Sequence, residues 1–141
     1  RLEHFHQHQI NLHCLSEKWL MADADELRSA ISNLVFNAVK YTPAETQIDV
    51  RWDIEGEFAV IEVKDTGEGI AQHHLDRLTE RFYRVDSGRA RETGGTGLGL
   101  AIVKHVLQRH KAELLIQSAI GEGSSFKCCF PAKNVMDKID I

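Results

Sequence analysis

The sequence predicts an α+β fold: a two-layer α/β sandwich whose mixed, mostly antiparallel sheet is covered on one face by helices. Two observations carry that prediction. Alternating apolar segments flank Glu55-Gly56-Glu57 and Gly121-Glu122-Gly123, which is the pattern of antiparallel hairpins with glycine turns. Two other segments, from Leu27 and from Leu98, repeat apolar residues at helical spacing. Strand and helix patterns are mixed along the chain, as in layered α+β domains.

Each element has its own warrant. Ile10, Leu12 and Cys14 alternate with polar residues, so Gln7 to Leu15 reads as the first strand. His4, His6 and His8 share the same alternation and so one strand face. They can ligate a metal, but a solvated edge strand explains them more simply. Leu20 and Met21 form a second, short extended piece. Asp23 and Glu26 make a capping-box start. Leu27, Ala30, Ile31, Leu34, Val35 and Ala38 then line one helix face from Asp25 to Tyr41, and Thr42-Pro43 stops it. Gln47 to Ile54 and Phe58 to Asp65 are paired strands. Ala71 to Glu80 reads as a short helix. Asp86 to Thr93 is a polar run without periodicity. A helix follows over Leu98 to His110, then strands over Glu113 to Ala119 and Ser124 to Phe130, the last ended by Pro131. The organisation expected is one domain over 1–131 and a charged, frayed tail over 132–141.

The composition narrows the function. A chain of 141 residues suits a single domain. A net charge of −4 disfavours direct nucleic-acid binding. It also means that any bound polyphosphate needs local cations or a metal ion. Cys128 and Cys129 are strand neighbours on opposite faces and do not suit a mutual bridge, so they and Cys14 read as reduced thiols. No apolar run approaches the roughly 18 residues of a membrane span. The chain begins at Arg1, as expected of a piece of something longer, whose other parts can hold a membrane segment.

Four stretches carry chemistry. Asn33, Asn37 and Lys40 lie on one helical stripe. Two carboxamides and an ammonium can offer oxygens to Mg²⁺ and charge to phosphate. The stripe is also an ordinary polar face, yet two asparagines one turn apart cost helix propensity without structural return. Asp65-Thr66-Gly67-Glu68-Gly69-Ile70 ends a strand in an acid and two glycines. It can accept a hydrogen bond from an exocyclic amine, or be a plain turn. Arg84, Arg89 and Arg91 can close on a phosphate chain or simply be solvated. Gly94-Gly95-Thr96-Gly97-Leu98-Gly99-Leu100 runs a flexible loop into a helix, a junction suited to phosphate and found in ordinary tight loops too.

These stretches stand in one order: Asn33 to Pro43, Asp65 to Ile70, Arg81-Phe82-Tyr83-Arg84-Val85-Asp86, and Gly95 to Leu100. In that order they resemble the catalytic ATP-binding domain of bacterial sensor histidine kinases of two-component systems. That domain falls in the wider family of gyrase, heat-shock-90 and mismatch-repair ATPases. The wording of Asp25 to Pro43 and Leu78 to His105 is most similar to the phosphate-regulon branch. The resemblance implies roles. Asn37 would ligate Mg²⁺, with Asn33 in the same cluster. Lys40 and Arg84 would contact phosphates, and with Asn37 they are the catalytic candidates. Tyr41 would pack on adenine, Asp65 would read its amine, Gly67 and Gly69 would line the purine pocket, and Ile70 would be an apolar wall. Gly95, Thr96, Gly97, Leu98, Gly99 and Leu100 would hinge a lid over Asp86 to Thr93 and leave N–H groups for phosphate. Ser124 stands where a threonine often supports the acid. Thr79, where relatives carry an apolar residue, departs from the pattern.

The resemblance also implies a mechanism. ATP and Mg²⁺ are the expected ligands, and phosphoryl transfer needs positioning and charge neutralisation. Hydrolytic relatives place a glutamate where this chain has Asn33, and an amide is no general base. Transfer to a protein side chain is therefore favoured over hydrolysis, and the resemblance to sensor kinases implies a histidine as the acceptor. None of the eight histidines sits in an acceptor motif, so the acceptor would lie on a separate dimerisation domain of the parent protein. A response regulator would follow in the relay. The parent would be dimeric and anchored in the inner membrane, with this domain in the cytoplasm. Two other readings stay open: a serine kinase of the anti-sigma-factor type, and a nucleotide-binding module that has lost catalysis.

Overall fold

The computed structural model describes residues 8–40, 42, 46–67, 69 and 99–137. Within them the chain forms β1 (Gln9–Cys14), β2 (Trp19–Leu20), α1 (Ala24–Lys40), β3 (Gln47–Glu55) and β4 (Phe58–Asp65). α2 (Gly99–Arg109), β5 (Glu113–Ala119), β6 (Gly123–Pro131), a 3-10 turn (Ala132–Asn134) and β7 (Val135–Met136) follow. Five strands make one sheet in the order β1-β3-β4-β6-β5. β1 runs parallel to β3, and the other neighbours are antiparallel. The expected mixed, mostly antiparallel sheet is borne out. The short helix Ala71 to Glu80 and the run Asp86 to Thr93 lie outside the described residues.

Strand alternation decides which face is covered. Ile48, Val50, Trp52 and Ile54 of β3 pair with Asp65, Val63, Ile61 and Ala59 of β4. Phe126, Cys128 and Phe130 of β6 continue these rows. Side chains at a two-residue period share a face. That face meets Ala30, Leu34 and Ala38 of α1 and Val103, Val106 and Leu107 of α2 in one buried cluster. Phe130 and Leu34 are among the largest fully buried side chains. Burial pushes the Cys128 thiol up to about 12, and all three cysteines are free.

The outer face is held by charge. Arg51 donates to Glu62 at 2.9 Å and to Glu55 at 2.6 Å, and Ser125 donates to the other oxygen of Glu62. Burial raises the Glu62 pKa, but the bonds from Ser125 and Arg51 outweigh it and leave the carboxyl below its ordinary range.

The helices are stopped and joined by polar contacts. The Glu26 N–H donates to Asp23 Oδ1 at 3.0 Å, the first half of the expected capping box. The Glu26 carboxylate does not reach back. It takes Arg109 of α2 at 3.0 Å, which ties the end of one helix to the start of the other. His110 does the same: its ring accepts from the Asp23 N–H at 3.0 Å, so the opposite nitrogen carries the proton and donates to the Val106 carbonyl at 2.8 Å.

The tail corrects the sequence expectation. It was expected to fray from Ala132, yet residues 132–136 are structured. β7 pairs with β2, Val135 with Leu20 and Met136 with Trp19. The Met21 N–H donates to the Asn134 carbonyl at 2.6 Å, and Lys18 pairs with Asp137. Charge in the tail hid the Val135-Met136 pair, and β2 finds its hydrogen-bond partner only in three dimensions.

Candidate functional site

The core face of the sheet ends in polar side chains. The last row of the ladder sets Ser118 of β5, Ser124 of β6 and Asp65 of β4 side by side, with Ile48 of β3 next to them. Alternation turns all of them toward the helices. Asp65 is only 5% exposed. Its Oδ1 accepts the Gly67 N–H at 2.9 Å. Burial raises its pKa, against the pull of the Gly67 and Ser124 N–H groups, which favour the charged form. A carboxyl kept in so dry a place, with no cation paired to it among the described residues, is a costly feature for a strand end.

Glycines let the backbone close on this acid. A Cβ at Gly67 would stand 2.5 Å from the Thr42 methyl and 3.1 Å from Asp65 Oδ1. Gly69 has φ +82°, and a side chain there would collide with the Ala119 carbonyl oxygen. Gly123 has φ +87°, and a side chain there would collide with the carbonyl of Asp65 itself. Only glycine meets both demands, the left-handed backbone and the missing Cβ. The segment after β4 is therefore pressed between Thr42 below and the β5–β6 turn beside it.

Thr42 is fixed from two sides. Its hydroxyl donates to the Ala38 carbonyl at 2.6 Å. With that proton committed, His8 Nε2 at 3.0 Å from the same oxygen must be the donor. This is where the structure puts the one described member of the histidine trio: buried, against the end of α1. Among the described residues no group of three or more His, Cys, Asp or Glu could hold a metal ion. His4 and His6 lie outside the described residues.

The α1 stripe supplies the second part of the site. Asn33 and Asn37 are half-buried. Asn33 Nδ2 donates to the Ser29 carbonyl at 2.8 Å. Its Oδ1 faces the start of α2, where a Cβ on Gly99 would stand 3.2 Å away. Lys40 is buried at the end of α1, its ammonium 5.7 Å from the Phe36 ring centroid. Leu100 packs its side chain into the core, so anything it offers a ligand must come from its backbone.

The structure thus gathers Asp65, Gly67, Gly69 and Ser124 at one end of the sheet, and Asn33 and Gly99 where the two helices meet. Asn37 and Lys40 occupy the C-terminal half of α1. Tyr41, Ile70, Arg84, Gly95, Thr96, Gly97 and Leu98 lie outside the described residues. Sequence reasoning missed Thr42, His8 and Ser118 as parts of this end of the molecule. Ser118 left a readable trace: it is the polar member of the inward set Leu114, Ile116, Ser118.

A separate groove of 480 Å³ is lined by Leu12 of β1, Trp19 and Leu20 of β2, Leu27 and Ile31 of α1 and Trp52 of β3, among others. It is apolar and does not include the Asp65 row.

A sheet of this order, covered by two helices and ending in a buried acid beside glycines, marks an ATPase-type domain. The chain belongs to the family of histidine kinase-, DNA gyrase B-, and HSP90-like ATPases, which matches residues 22–134. The phosphate regulon sensor protein PhoR of Pseudomonas aeruginosa is 57% identical over 130 residues, 92% of this chain and 29% of that protein. Its namesake in Haemophilus influenzae is 43% identical over 119 residues, 84% of this chain and 28% of that protein. The chain therefore spans under a third of the length of these relatives. Among solved structures, the mycobacterial sensor histidine kinase MprB has a TM-score of 0.78 at 28% identity, covering 89% of this chain and 84% of that one. Full-length ShkA in complex with AMPPNP has a TM-score of 0.77 at 27% identity, covering 97% of this chain and 27% of that one. The resemblance read from the motifs is borne out at the level of this family. Among the described residues no helix is long and apolar enough to cross a membrane.

Proposed function

We propose that this chain binds Mg²⁺-ATP and donates the γ-phosphoryl group to a histidine on a separate dimerisation domain of its parent protein. From there the group would pass to a response regulator, in phosphate-starvation signalling. The observation that carries the nucleotide reading is Asp65: a buried carboxyl at a strand end, beside glycines that no side chain can replace. The names of the relatives support the phosphate-regulon setting. The parent would be a dimer anchored in the inner membrane, with this domain on the cytoplasmic side.

The residues divide the work. Asp65 accepts the exocyclic amine of adenine. Gly67 and Gly69 let the base approach the backbone, Tyr41 stacks on it and Ile70 walls it. Lys40 and Arg84 meet the phosphates, and the N–H groups from Gly95 to Leu100 complete the cradle. Asn37 and Asn33 offer neutral oxygens of the kind Mg²⁺ accepts, and the ion when bound neutralises phosphate charge. The Asn33 bond to the Ser29 carbonyl needs an amide N–H, which a catalytic glutamate could not supply. That supports transfer over hydrolysis. Ser124 supports Asp65 from the neighbouring strand.

Calorimetry with a non-hydrolysable ATP analogue, with and without Mg²⁺, tests the site on the wild type, Asn37→Ala and Asp65→Asn. Binding should be Mg²⁺-assisted, weakened at Asn37 and nearly lost at Asp65. A wild type that binds no nucleotide turns the reading toward an interaction module. Supplying an acceptor domain in trans then tests the transfer. An acid-labile, alkali-stable phosphoprotein means phosphohistidine, and the reverse stability means a serine kinase of the anti-sigma-factor type.

A further inference from the structure

Ser118 has no role in the nucleotide site as assigned so far, yet it controls a proton there. Its Oγ lies 2.9 Å from the Gly123 carbonyl oxygen and 2.7 Å from Ser124 Oγ. A carbonyl only accepts, so the single hydroxyl proton of Ser118 goes to Gly123. The contact with Ser124 then needs the proton of Ser124. The Ser124 hydroxyl is left with lone pairs alone to offer any third group. Ser124 is 6% exposed and sits directly opposite Asp65 in the ladder. Gly123, which takes the Ser118 proton, is the residue whose missing Cβ lets the turn press on the Asp65 carbonyl.

We propose that Ser118 is a positioning residue for purine choice: it fixes the Ser124 hydroxyl as a hydrogen-bond acceptor beside the Asp65 carboxyl. This rests on the nucleotide reading of that row. The end row then presents acceptors from two strands and withholds a hydroxyl donor. A 6-amino purine supplies the donor such a row requires. A 6-oxo purine brings an acceptor to the same place and meets no donor from Ser124. Were Ser124 released from Ser118, its proton could swing toward the purine oxygen and relax the choice.

The test compares adenosine and inosine 5′-(β,γ-imido)triphosphates, which differ at the 6-position and in the N1 proton that follows from it. Their affinities are measured by calorimetry on the wild type, Ser118→Ala, Ser118→Cys and Ser118→Thr. Ser118→Ala removes the acceptor for the Ser124 proton, and Ser118→Cys replaces it with a weak one at nearly the same size. Both should lower the adenosine-to-inosine preference by roughly fivefold, the scale of one hydrogen bond. Ser118→Thr keeps the hydroxyl and should restore the wild-type ratio. A purely structural role would weaken both analogues alike and leave the ratio unchanged. An unchanged ratio in Ser118→Cys, with adenosine binding intact, overturns the inference and leaves the nucleotide reading standing. A wild type that binds neither analogue overturns both.

Discussion

Asn33 of α1 and Gly99 at the start of α2 are in contact range: a Cβ on Gly99 would stand 3.2 Å from Asn33 Oδ1. Two residues singled out for different reasons, one as a carboxamide on a helix stripe and one as a loop glycine, share a single spot. The Asn33 side chain approaches the α2 backbone so closely there that a methyl group would have to displace it slightly. Gly99→Ala should therefore push the Asn33 amide by a few tenths of an ångström. The fold should tolerate this, since alanine is the better helix former by up to about 1 kcal/mol. Thermal stability should hold or rise slightly, while Mg²⁺-assisted nucleotide affinity falls several-fold. Melting curves and calorimetry on the same preparation check both halves.

Two glycines of the β5–β6 turn separate strain from collision. Gly121 has φ +84° with open space where a side chain would stand, whereas Gly123 has φ +87° with the Asp65 carbonyl in the way. Gly121→Ala should cost about 1 kcal/mol, the conformational term alone. Gly123→Ala carries the same term plus displacement of β4 from β6, and should cost about 3 kcal/mol or more. Urea unfolding of the two variants gives the comparison. Equal costs would mean that the turn moves freely off β4.

The acid of the end row sets a pH dependence. Burial raises the Asp65 pKa in the folded state above its value in the unfolded chain. The folded state then holds the proton longer. Between the ordinary carboxylate pKa and the raised one, the contribution of Asp65 makes stability fall as pH rises. Asp65→Asn should remove that component of the slope. Analogue binding should move the other way, because accepting an amine favours the carboxylate: affinity should drop on acidification through the raised pKa. Unfolding and binding curves from about pH 4 to pH 7 read both trends.

Glu62 on the outer face carries the opposite sign. Its folded-state pKa is lowered overall: burial raises it, and the bonds from Ser125 and Arg51 more than offset that. Its contribution is fully present above the ordinary glutamate pKa and is lost as pH falls through the lowered one. Glu62→Gln should cost about 1–2 kcal/mol at neutral pH, in the range of hydrogen bonds to a charged group. It should cost much less at pH 3, with nucleotide affinity unchanged at neutral pH. Urea titrations at the two pH values decide.

The sequence by itself determined the elements and the chemistry of the motifs. Period-two alternation in Ile48 to Ile54 and 3.6-residue spacing in Leu27 to Ala38 are local properties, written in adjacent residues, and the strands and helices follow them closely. Asn33 and Asn37 stood out because an asparagine inside a helix is unfavourable unless something uses it, whereas Lys40 and Asp65 were singled out by their place in the ordered motifs that resemble the ATP-binding domain. Strand order was decided elsewhere. Nothing local in Gln9 to Cys14 says that β1 runs parallel beside β3, and nothing in Val135-Met136 says that it closes on Trp19-Leu20. The same holds for the Thr42 methyl under Gly67, for His8 donating to Thr42, and for the Ser118–Ser124 hydroxyl pair. These are contacts between residues distant in the chain. They exist because packing brings the strand ends and helix ends together and buried donors must then find acceptors, a condition that only the folded chain imposes.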